Sequence, residues 1–296
     1  MKVLSLFDGI SCGRLALERA GIKVDKYVAY EIEPNAIKVS KANWDDIEHC
    51  GDVTVADFSQ YKGFDIIIGG FPCQDLSINK RDRKGLEGKR SGLFWHLVRA
   101  IEEIKPKYFL VENNYKMPKK DQDIITQTLG VKPILIYSGK VSAQSRYRLY
   151  WTNIPNVQQP KDLHIYLKDI VEHGHNKEKD LKNITKFNNK VYINYDRPAR
   201  IGIIGKGGQG ERVYGIEGKS VTLKANGGGR GAKGGLYLID DVVRKPTPIE
   251  CERLQTLPDN YTACLSDNER RKVIGNGWTV DVIAHIFSFL PEEYKE

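Results

Sequence analysis

The stretch Phe64-Asp65-Ile66-Ile67-Ile68-Gly69-Gly70-Phe71-Pro72-Cys73-Gln74 runs from an isoleucine-rich segment through a glycine pair to a proline and a cysteine. A short apolar run bounded by glycines reads as a buried strand over Phe64 to Ile68, and Cys73 then lies on the loop leaving the strand's carboxyl end. In an open α/β sheet that is the end where ligands bind. Pro72 fixes its own φ and removes a donor, while two glycines permit close approach to the backbone, so the thiol is held at a defined place. Two readings of Cys73 stand at this point. A buried cysteine is commonly an inert small hydrophobe, whereas a thiol fixed on such a loop is a candidate nucleophile.

Toward the amino terminus, Val3-Leu4-Ser5-Leu6-Phe7 reads as a first strand running into Asp8-Gly9-Ile10-Ser11-Cys12-Gly13, with Leu15, Leu17 and Ala20 at helical spacing behind it. Strand, glycine turn and helix start together form a site for a nucleotide-like group, because the backbone can come close and amide groups point outward. The spacing is not that of the dinucleotide fingerprint, so a plain connector is the competing reading. Val24 to Tyr30 reads as a second strand ending in Glu31, with a helix over Asn35 to Asn43. A carboxylate there suits the two hydroxyls of a ribose, and equally a solvated strand end. Asp52, before a polar connection, is positioned to accept from an amino group.

On the other side of the opening stretch, Asp75 to Ser91 is a polar loop holding Lys80, Arg81, Arg83, Lys84, Lys89 and Arg90. It suits a lid closing on a polyanion, or a solvated surface loop. A helix is expected over Gly92 to Ile104, then a strand over Tyr108 to Val111 ending in Glu112-Asn113-Asn114. Further strands are expected around Val131 to Tyr137 and Val141 to Thr152. If the latter is regular, Gln144, Arg146 and Arg148 share one face and need an acceptor-rich partner or water. Lys161 to Asp240 holds 15 lysines and arginines against 9 acids, most of a whole-chain net charge of +8, and clusters glycine at 205–210 and 226–231. That composition suits tracking phosphates and reading groove edges, or a solvated insertion. A helix is expected from Ile249 to Leu257, and Trp278, Val282, Ile283, Ile286 and Phe287 keep the spacing of a last helix that packs back on the sheet.

The whole composition is ordinary for a globular chain of 296 residues. Its five cysteines, Cys12, Cys50, Cys73, Cys251 and Cys264, are odd in number and form no Cys-x-x-Cys pair, which argues for reduced thiols and against a disulfide framework or zinc site. His173-Gly174-His175 sits among polar neighbours, and no metal is expected. No signal peptide or membrane span is expected either.

A thiol and a carboxyl at neighbouring strand ends, beside a turn for an adenosine-containing cofactor, permit one particular chemistry. Thiolate addition to carbon 6 of a cytosine makes carbon 5 nucleophilic, provided that an acid protonates or hydrogen-bonds ring nitrogen 3. A base inside duplex DNA must be flipped out to be reached. Over nearly its whole length the chain resembles the cytosine-5 DNA methyltransferases, with eight of the family's blocks in the family's order. They are Phe7-Asp8-Gly9-Ile10-Ser11, Glu31, Asp52, Gly70-Phe71-Pro72-Cys73-Gln74, Glu112-Asn113, Gln144-x-Arg146-x-Arg148, Arg244 through Glu250-Cys251-Glu252-Arg253-Leu254-Gln255, and Gly275-Asn276. The chain departs from the usual pattern at Ser11 and Cys12, where many members have glycine. Asn114 stands for a common valine, and Gly277-Trp278 for Ser-Val. Cys12 and Trp278 are similar to the animal de novo branch, and Asn114 raises the question of how Glu112 is oriented.

The resemblance implies an α/β, Rossmann-like S-adenosylmethionine-dependent methyltransferase sheet with helices on both faces, plus a smaller, mostly β and loop recognition domain. The expected boundaries are 1–158 for catalysis and cofactor, 159–264 for target recognition, and 265–296 for the return to the catalytic domain. It implies catalysis by Cys73, Glu112, Arg146 and Arg148. Cofactor contacts are expected from Phe7, Asp8, Gly9, Ile10, Glu31 and Ile32, and from Asp52, Val53, Pro72, Leu93, Asn276 and Trp278. DNA contacts are expected from Gln74, Ser77, Lys80, Arg81, Arg83 and Lys84 in the lid, from Gln144, and from Lys206, Arg212, Lys224, Arg230 and Lys233 in the basic segment. The implied activity is methylation of carbon 5 of a flipped-out cytosine in a short sequence of double-stranded DNA through a Cys73 adduct. A monomeric, cytoplasmic bacterial or phage enzyme, either partnered by a cognate restriction endonuclease or an orphan, completes the expectation. An RNA (tRNA) cytosine-5 methyltransferase and a catalytically silent DNA-binding relative are the alternatives.

Overall fold

The computed structural model of the chain describes residues 1–72, 86, 88, 91–174, 184, 186–187, 194–226 and 230–295, with the side chains of Ser91 and Phe187 left aside. Cys73 and the basic lid residues lie outside the described residues. The chain forms two compact units, one of residues 1–136, 147–159 and 283–296, the other of 137–146 and 160–282. The chain therefore passes from the first unit to the second and back before the expected boundary at 158. Residues 265–282, expected with the return segment, group with the second unit.

The first unit alternates strand and helix: β1 (Lys2–Leu6), α1 (Cys12–Arg19), β2 (Lys26–Tyr30), α2 (Pro34–Asn43), β3 (Ile47–His49), β4 (Ile66–Gly69), α3 (Phe94–Ile104), β5 (Tyr108–Asn114), α4 (Lys119–Leu129), β6 (Ile134–Tyr137) and β7 (Tyr147–Thr152). The strand order is β3-β2-β1-β4-β5-β7-β6. Strands β3 to β5 run parallel, and β7 pairs antiparallel with β5. The central strands are continuous apolar runs because both sheet faces are covered; Val3, Leu4, Leu6, Ile66, Ile67 and Ile68 are fully buried. Order reverses at β1, so the loops after β1 and β4 flank the crevice where such sheets hold ligands. At the end of β4 the two backbones crowd: a Cβ on Gly69 would lie 2.8 Å from the Leu6 carbonyl oxygen and 3.0 Å from Leu97 Cδ1.

Helix α3 shows why the sequence pattern predicts it. Phe94, Leu97, Val98, Ala100 and Ile104 recur along one stripe and pack into a core with Leu4, Ile67, Phe71, Phe109 and Trp151. Pro34 opens α2 at a first-turn position, and Gly130 closes α4 with a left-handed φ of 68°. The tail is tied to this unit as well: Lys23 N–H donates to Tyr294 O, and Lys107 Nζ donates to Glu293 at 2.6 Å.

The second unit carries β8 (Lys186–Phe187), β9 (Arg200–Ile203), β10 (Arg212–Tyr214), β11 (Leu236–Ile239) and β12 (Val242–Arg244), then α5 (Pro248–Leu254), α6 (Asp267–Asn276) and α7 (Val280–Phe287). From residue 283 onward α7 groups with the first unit. The sheet order is β12-β11-β10-β9-β8, antiparallel except between β10 and β11. Its small core is Ile204, Val213, Leu236 and Val243, with Ile184, Ile201 and Leu238 packed against it. Arg244 and Glu250, both nearly fully buried, pair bidentately at 2.8 and 2.6 Å, and Glu250 also closes a capping box with Thr247 at the start of α5. Glu252 accepts from Thr262, Asn260 and Arg270.

One expectation is corrected here. Residues 141–146 form no regular strand, only a bridge between Gln144 and Ser220, and β7 begins at Tyr147. Lys219 accounts for the irregular path. It is fully buried, and its Nζ donates to the carbonyls of Gly139 (2.5 Å), Ser142 (3.2 Å) and Ile165 (2.6 Å), drawing the segment around an ammonium group. Burial pushes the Lys219 amine below its ordinary value. Among the described residues, no helix is long and apolar enough to cross a membrane.

Candidate active site

The turn between β1 and α1 is the first part of the site. Phe7, Gly9 and Ser11 all take left-handed φ values, 59°, 61° and 60°. The Gly9 N–H donates to Glu31 Oε2 at 2.8 Å, and Glu31 Oε1 accepts from the amides of Ile32 and Glu33, each at 2.8 Å. The carboxylate at the end of β2 is thus fixed against the turn by three backbone donors rather than being a free strand end. Asp8 Oδ1 accepts from Ser5 (2.6 Å) and Tyr27 (2.7 Å), and its Oδ2 accepts from Ser11 (2.5 Å). Burial lifts the Asp8 carboxyl above its ordinary value against the pull of these three donors. Beyond β3, Asp52 caps a short 3₁₀ turn by accepting from Thr54 N–H at 2.8 Å, which holds its carboxyl below the usual value.

The surroundings fit a nucleoside-bearing cofactor. Two carboxylates with fixed orientation stand ready for hydroxyl and amino donors, and Ile32, beside Glu31, is a large aliphatic side chain left 66% exposed. Leu93 and Pro72 are half-buried. Ile10 and Val53 are turned into the interior, so whatever they offer a ligand comes from their backbone.

The second part of the site is the end of β5. Glu112 is almost fully buried, and Arg148 Nε meets its Oε1 at 2.8 Å. The β5–β7 register explains the pairing: Tyr150 is opposite Glu112 and Arg148 is opposite Asn114, so the two charged side chains are diagonal neighbours on one face. Asn113 points the other way and donates from Nδ2 to the Phe71 carbonyl at 3.0 Å, tying the segment just before Cys73 to β5. Asn114 is engaged with the backbone that follows it. Its Oδ1 accepts from Lys116 N–H at 3.1 Å and closes the turn that follows.

In the second unit, Gln144 and Arg146 are buried and turned inward. Gln144 Nε2 donates to Leu254 O and Gln255 Oε1, and its Oε1 accepts from Leu223 N–H. Arg146 donates to Leu223 O at 3.2 Å and Gly277 O at 3.1 Å. The expectation that Gln144, Arg146 and Arg148 project together fails, because the strand that would alternate them begins only at Tyr147. The Gln144 amide is satisfied inside the unit, and the residue has no exposed surface. Arg146 instead reaches the segment between Asn276, which is exposed, and Trp278, which is half-buried. Lys206, Lys224 and Arg230 are exposed. Lys233 is half-buried and donates to Asn268, and the Arg212 Nε is buried with no hydrogen bond among the described residues. Sequence reasoning passed over Lys219, since one more lysine in a basic, glycine-rich segment carries no mark of burial. Asn113 was visible only as the neighbour of Glu112.

Comparison with known proteins gives this geometry a family. The family model for C-5 cytosine-specific DNA methylases matches residues 1–291. The chain is a C-5 cytosine-specific DNA methylase. It is 32% identical over 97% of its length to the type II methyltransferase M.HhaI of Haemophilus parahaemolyticus, covering 93% of that protein. It is 29% identical to M1.ScrFI of Lactococcus lactis subsp. cremoris, covering 95% of this chain and 76% of that one. In structure it is similar to the Schizosaccharomyces pombe Dnmt2 methyltransferase (TM-score 0.73, 18% identity, 99% of each chain) and to the Entamoeba histolytica methyltransferase EhMeth (TM-score 0.76, 18% identity, 100% and 99%). These two support the fold alone. The methylase is an enzyme acting on DNA cytosine, and its cofactor is S-adenosylmethionine.

Proposed function

We propose that the methylase modifies carbon 5 of a flipped-out cytosine in a short, specific sequence of double-stranded DNA, through a covalent adduct with Cys73. The observation that carries this reading is the Glu112–Arg148 pair at the end of β5, with Asn113 tying that strand end to Phe71, two residues before Cys73. Glu31 and Asp52 would hold the ribose and adenine of S-adenosylmethionine, with Phe7, Asp8 and Gly9 shaping the turn beside them. Ile10, Ile32, Val53, Pro72, Leu93, Asn276 and Trp278 complete the proposed contacts.

The Cys73 thiol loses its proton to solvent, and its sulfur adds to carbon 6 of the cytosine. Glu112 donates to ring nitrogen 3, so that charge does not build up on the ring and carbon 5 becomes nucleophilic. Arg148 holds the Glu112 side chain in place, and Arg146 is assigned to the flipped base. S-Adenosylmethionine supplies the methyl group that carbon 5 takes up. Loss of the carbon 5 proton to solvent then expels the Cys73 thiolate, and the proton on nitrogen 3 returns to Glu112. Extrusion of the base is required because neither face of carbon 6 is open to a thiol within a stacked duplex.

The lid residues Gln74, Ser77, Lys80, Arg81, Arg83 and Lys84 and the second-unit residues Lys206, Arg212, Lys224, Arg230 and Lys233 are assigned to DNA. Exposed cations in a glycine-rich segment support that assignment by their charge. We assign residues 1–158, 159–264 and 265–296 the catalytic, recognition and return roles. The type II names of the relatives support a restriction-modification setting, and we assign the methylase to the cytoplasm as a bacterial or phage-encoded monomer. The test is transfer of labelled methyl groups to DNA, with bisulfite sequencing to read the target. Cys73→Ser is expected to abolish transfer while leaving cofactor affinity within about twofold, and DNA carrying 5-fluorocytosine is expected to trap the wild-type protein covalently. Trapping that persists in Cys73→Ser would overturn the assignment of the nucleophile.

A further inference from the structure

Behind the cofactor turn lies a chain of polar side chains that the reaction does not use. Ser11 Oγ lies 2.5 Å from Asp8 Oδ2 and 2.6 Å from Ser40 Oγ, and Ser40 Oγ lies 3.3 Å from His49 Nε2. Ser11 and Ser40 are fully buried. His49 Nδ1 is buried and makes no hydrogen bond among the described residues.

The hydrogens in this chain have one consistent arrangement when Asp8 is ionised. A carboxylate only accepts, so the single Ser11 hydroxyl hydrogen is directed at Asp8. Ser11 must then accept from Ser40, which uses the single Ser40 hydrogen. Ser40 must in turn accept from His49, so the imidazole carries its proton on Nε2 and leaves Nδ1 as a bare acceptor. A buried ring nitrogen without a partner is the pattern this arrangement requires, since a lone pair left unsatisfied costs less than an N–H left unsatisfied in the same place.

We propose that His49, Ser40 and Ser11 form a one-way hydrogen-bond relay onto Asp8 that fixes the turn from Phe7 to Gly13 for S-adenosylmethionine, so that Ser40 and His49 are positioning residues for the cofactor. The proposal rests on the assignment of this turn to the cofactor. It also accounts for a serine at position 11. A non-glycine residue at a φ of 60° is strained, and the hydroxyl offsets that strain by holding Asp8, whose own backbone N–H donates to Tyr30 O and whose carbonyl accepts from Ser11 N–H. With Ser5 and Tyr27 on the other carboxylate oxygen, Asp8 is gripped from both sides. Gly9, the next residue, presents its amide to Glu31 in a fixed direction.

The test uses the full chain labelled with ¹⁵N-histidine, the His49 signals being assigned by their loss in His49→Gln. Long-range proton-nitrogen correlation is expected to show the Nε2–H tautomer at neutral pH. Ser40→Ala is expected to raise the Kd for S-adenosylmethionine about tenfold with kcat at saturating cofactor within twofold, and to populate both His49 tautomers. An Nδ1–H tautomer in the wild type overturns the relay without any variant having to fold. A Ser40→Ala Kd within twofold of wild type overturns it when Glu31→Ala still weakens the cofactor. If neither variant weakens it, the assignment of the turn to the cofactor has failed instead.

Discussion

Replacing Glu112 by glutamine tests the proposed acid while changing the local shape least. Gln keeps an oxygen acceptor for Arg148 Nε, now 2.8 Å from Glu112 Oε1, but it has no carboxyl that can carry a negative charge toward Arg148 in one protonation state and supply a proton to nitrogen 3 in the other. For unit charges about 4 Å apart at an effective permittivity of about 20, the attraction lost is about 4 kcal/mol. Both side chains keep some solvent contact, 15% for Arg148 and 11% for Glu112, and the retained hydrogen bond offsets part of the loss. The expected cost in stability is therefore about 1–3 kcal/mol, enough to lower the urea midpoint without unfolding the protein. The expected loss in methyl transfer is larger, about 10²–10⁴-fold, because nitrogen 3 would have no acid during thiol addition. Glu31 and the turn after β1 make no use of Glu112, so S-adenosylmethionine should bind within about twofold of wild type by calorimetry. Single-turnover transfer from labelled cofactor to saturating DNA isolates the chemical step. Transfer within threefold of wild type in a folded, cofactor-binding variant would refute the role given to Glu112.

Glu31→Ala removes the acceptor of three backbone amides and the proposed ribose contact, and is expected to raise the cofactor Kd about 10–100-fold with kcat at saturation within about threefold; calorimetry and initial rates read the two separately. Glu250→Gln strands the buried Arg244 guanidinium and should cost about 3–5 kcal/mol, read in urea from Trp278, the one tryptophan of four that lies in the second unit. A loss below 1 kcal/mol would show that the pair does not hold that unit. Cys251 is 1% exposed and burial pushes its thiol up to about 12, so iodoacetamide near pH ~8 should leave it unmodified in the folded protein and alkylate it in denaturant, as mass spectrometry of the peptide would show.

Much of the first unit was legible in the sequence because its signals are local. Isoleucine runs bounded by glycine, the stripe of α3 and acids at strand ends each follow from residues within one element. The loop carrying Gln144 and Arg146 was not legible, since alternation along a strand predicts facing only where a strand exists. What overrides it is Lys219, about 75 residues downstream in sequence, drawing three carbonyls to one point. Asn114 is a similar case: next to the acid in sequence, it is turned to the following backbone, while Arg148 reaches Glu112 from the neighbouring strand.

The sequence by itself determined the α/β class, the family and the order of its blocks, because periodicity and short motifs are properties of neighbouring residues. Only the tertiary structure decided which groups meet. The Glu112–Arg148 pair depends on the antiparallel register of β5 and β7, the grip of Asn113 on Phe71 O on the spacing of β4 and β5, and the run of short polar contacts from His49 to Asp8 on side chains brought together from β3, α2 and the turn after β1. Distances of 2.6 to 3.0 Å between residues dozens of positions apart are set by packing, and no local pattern encodes them.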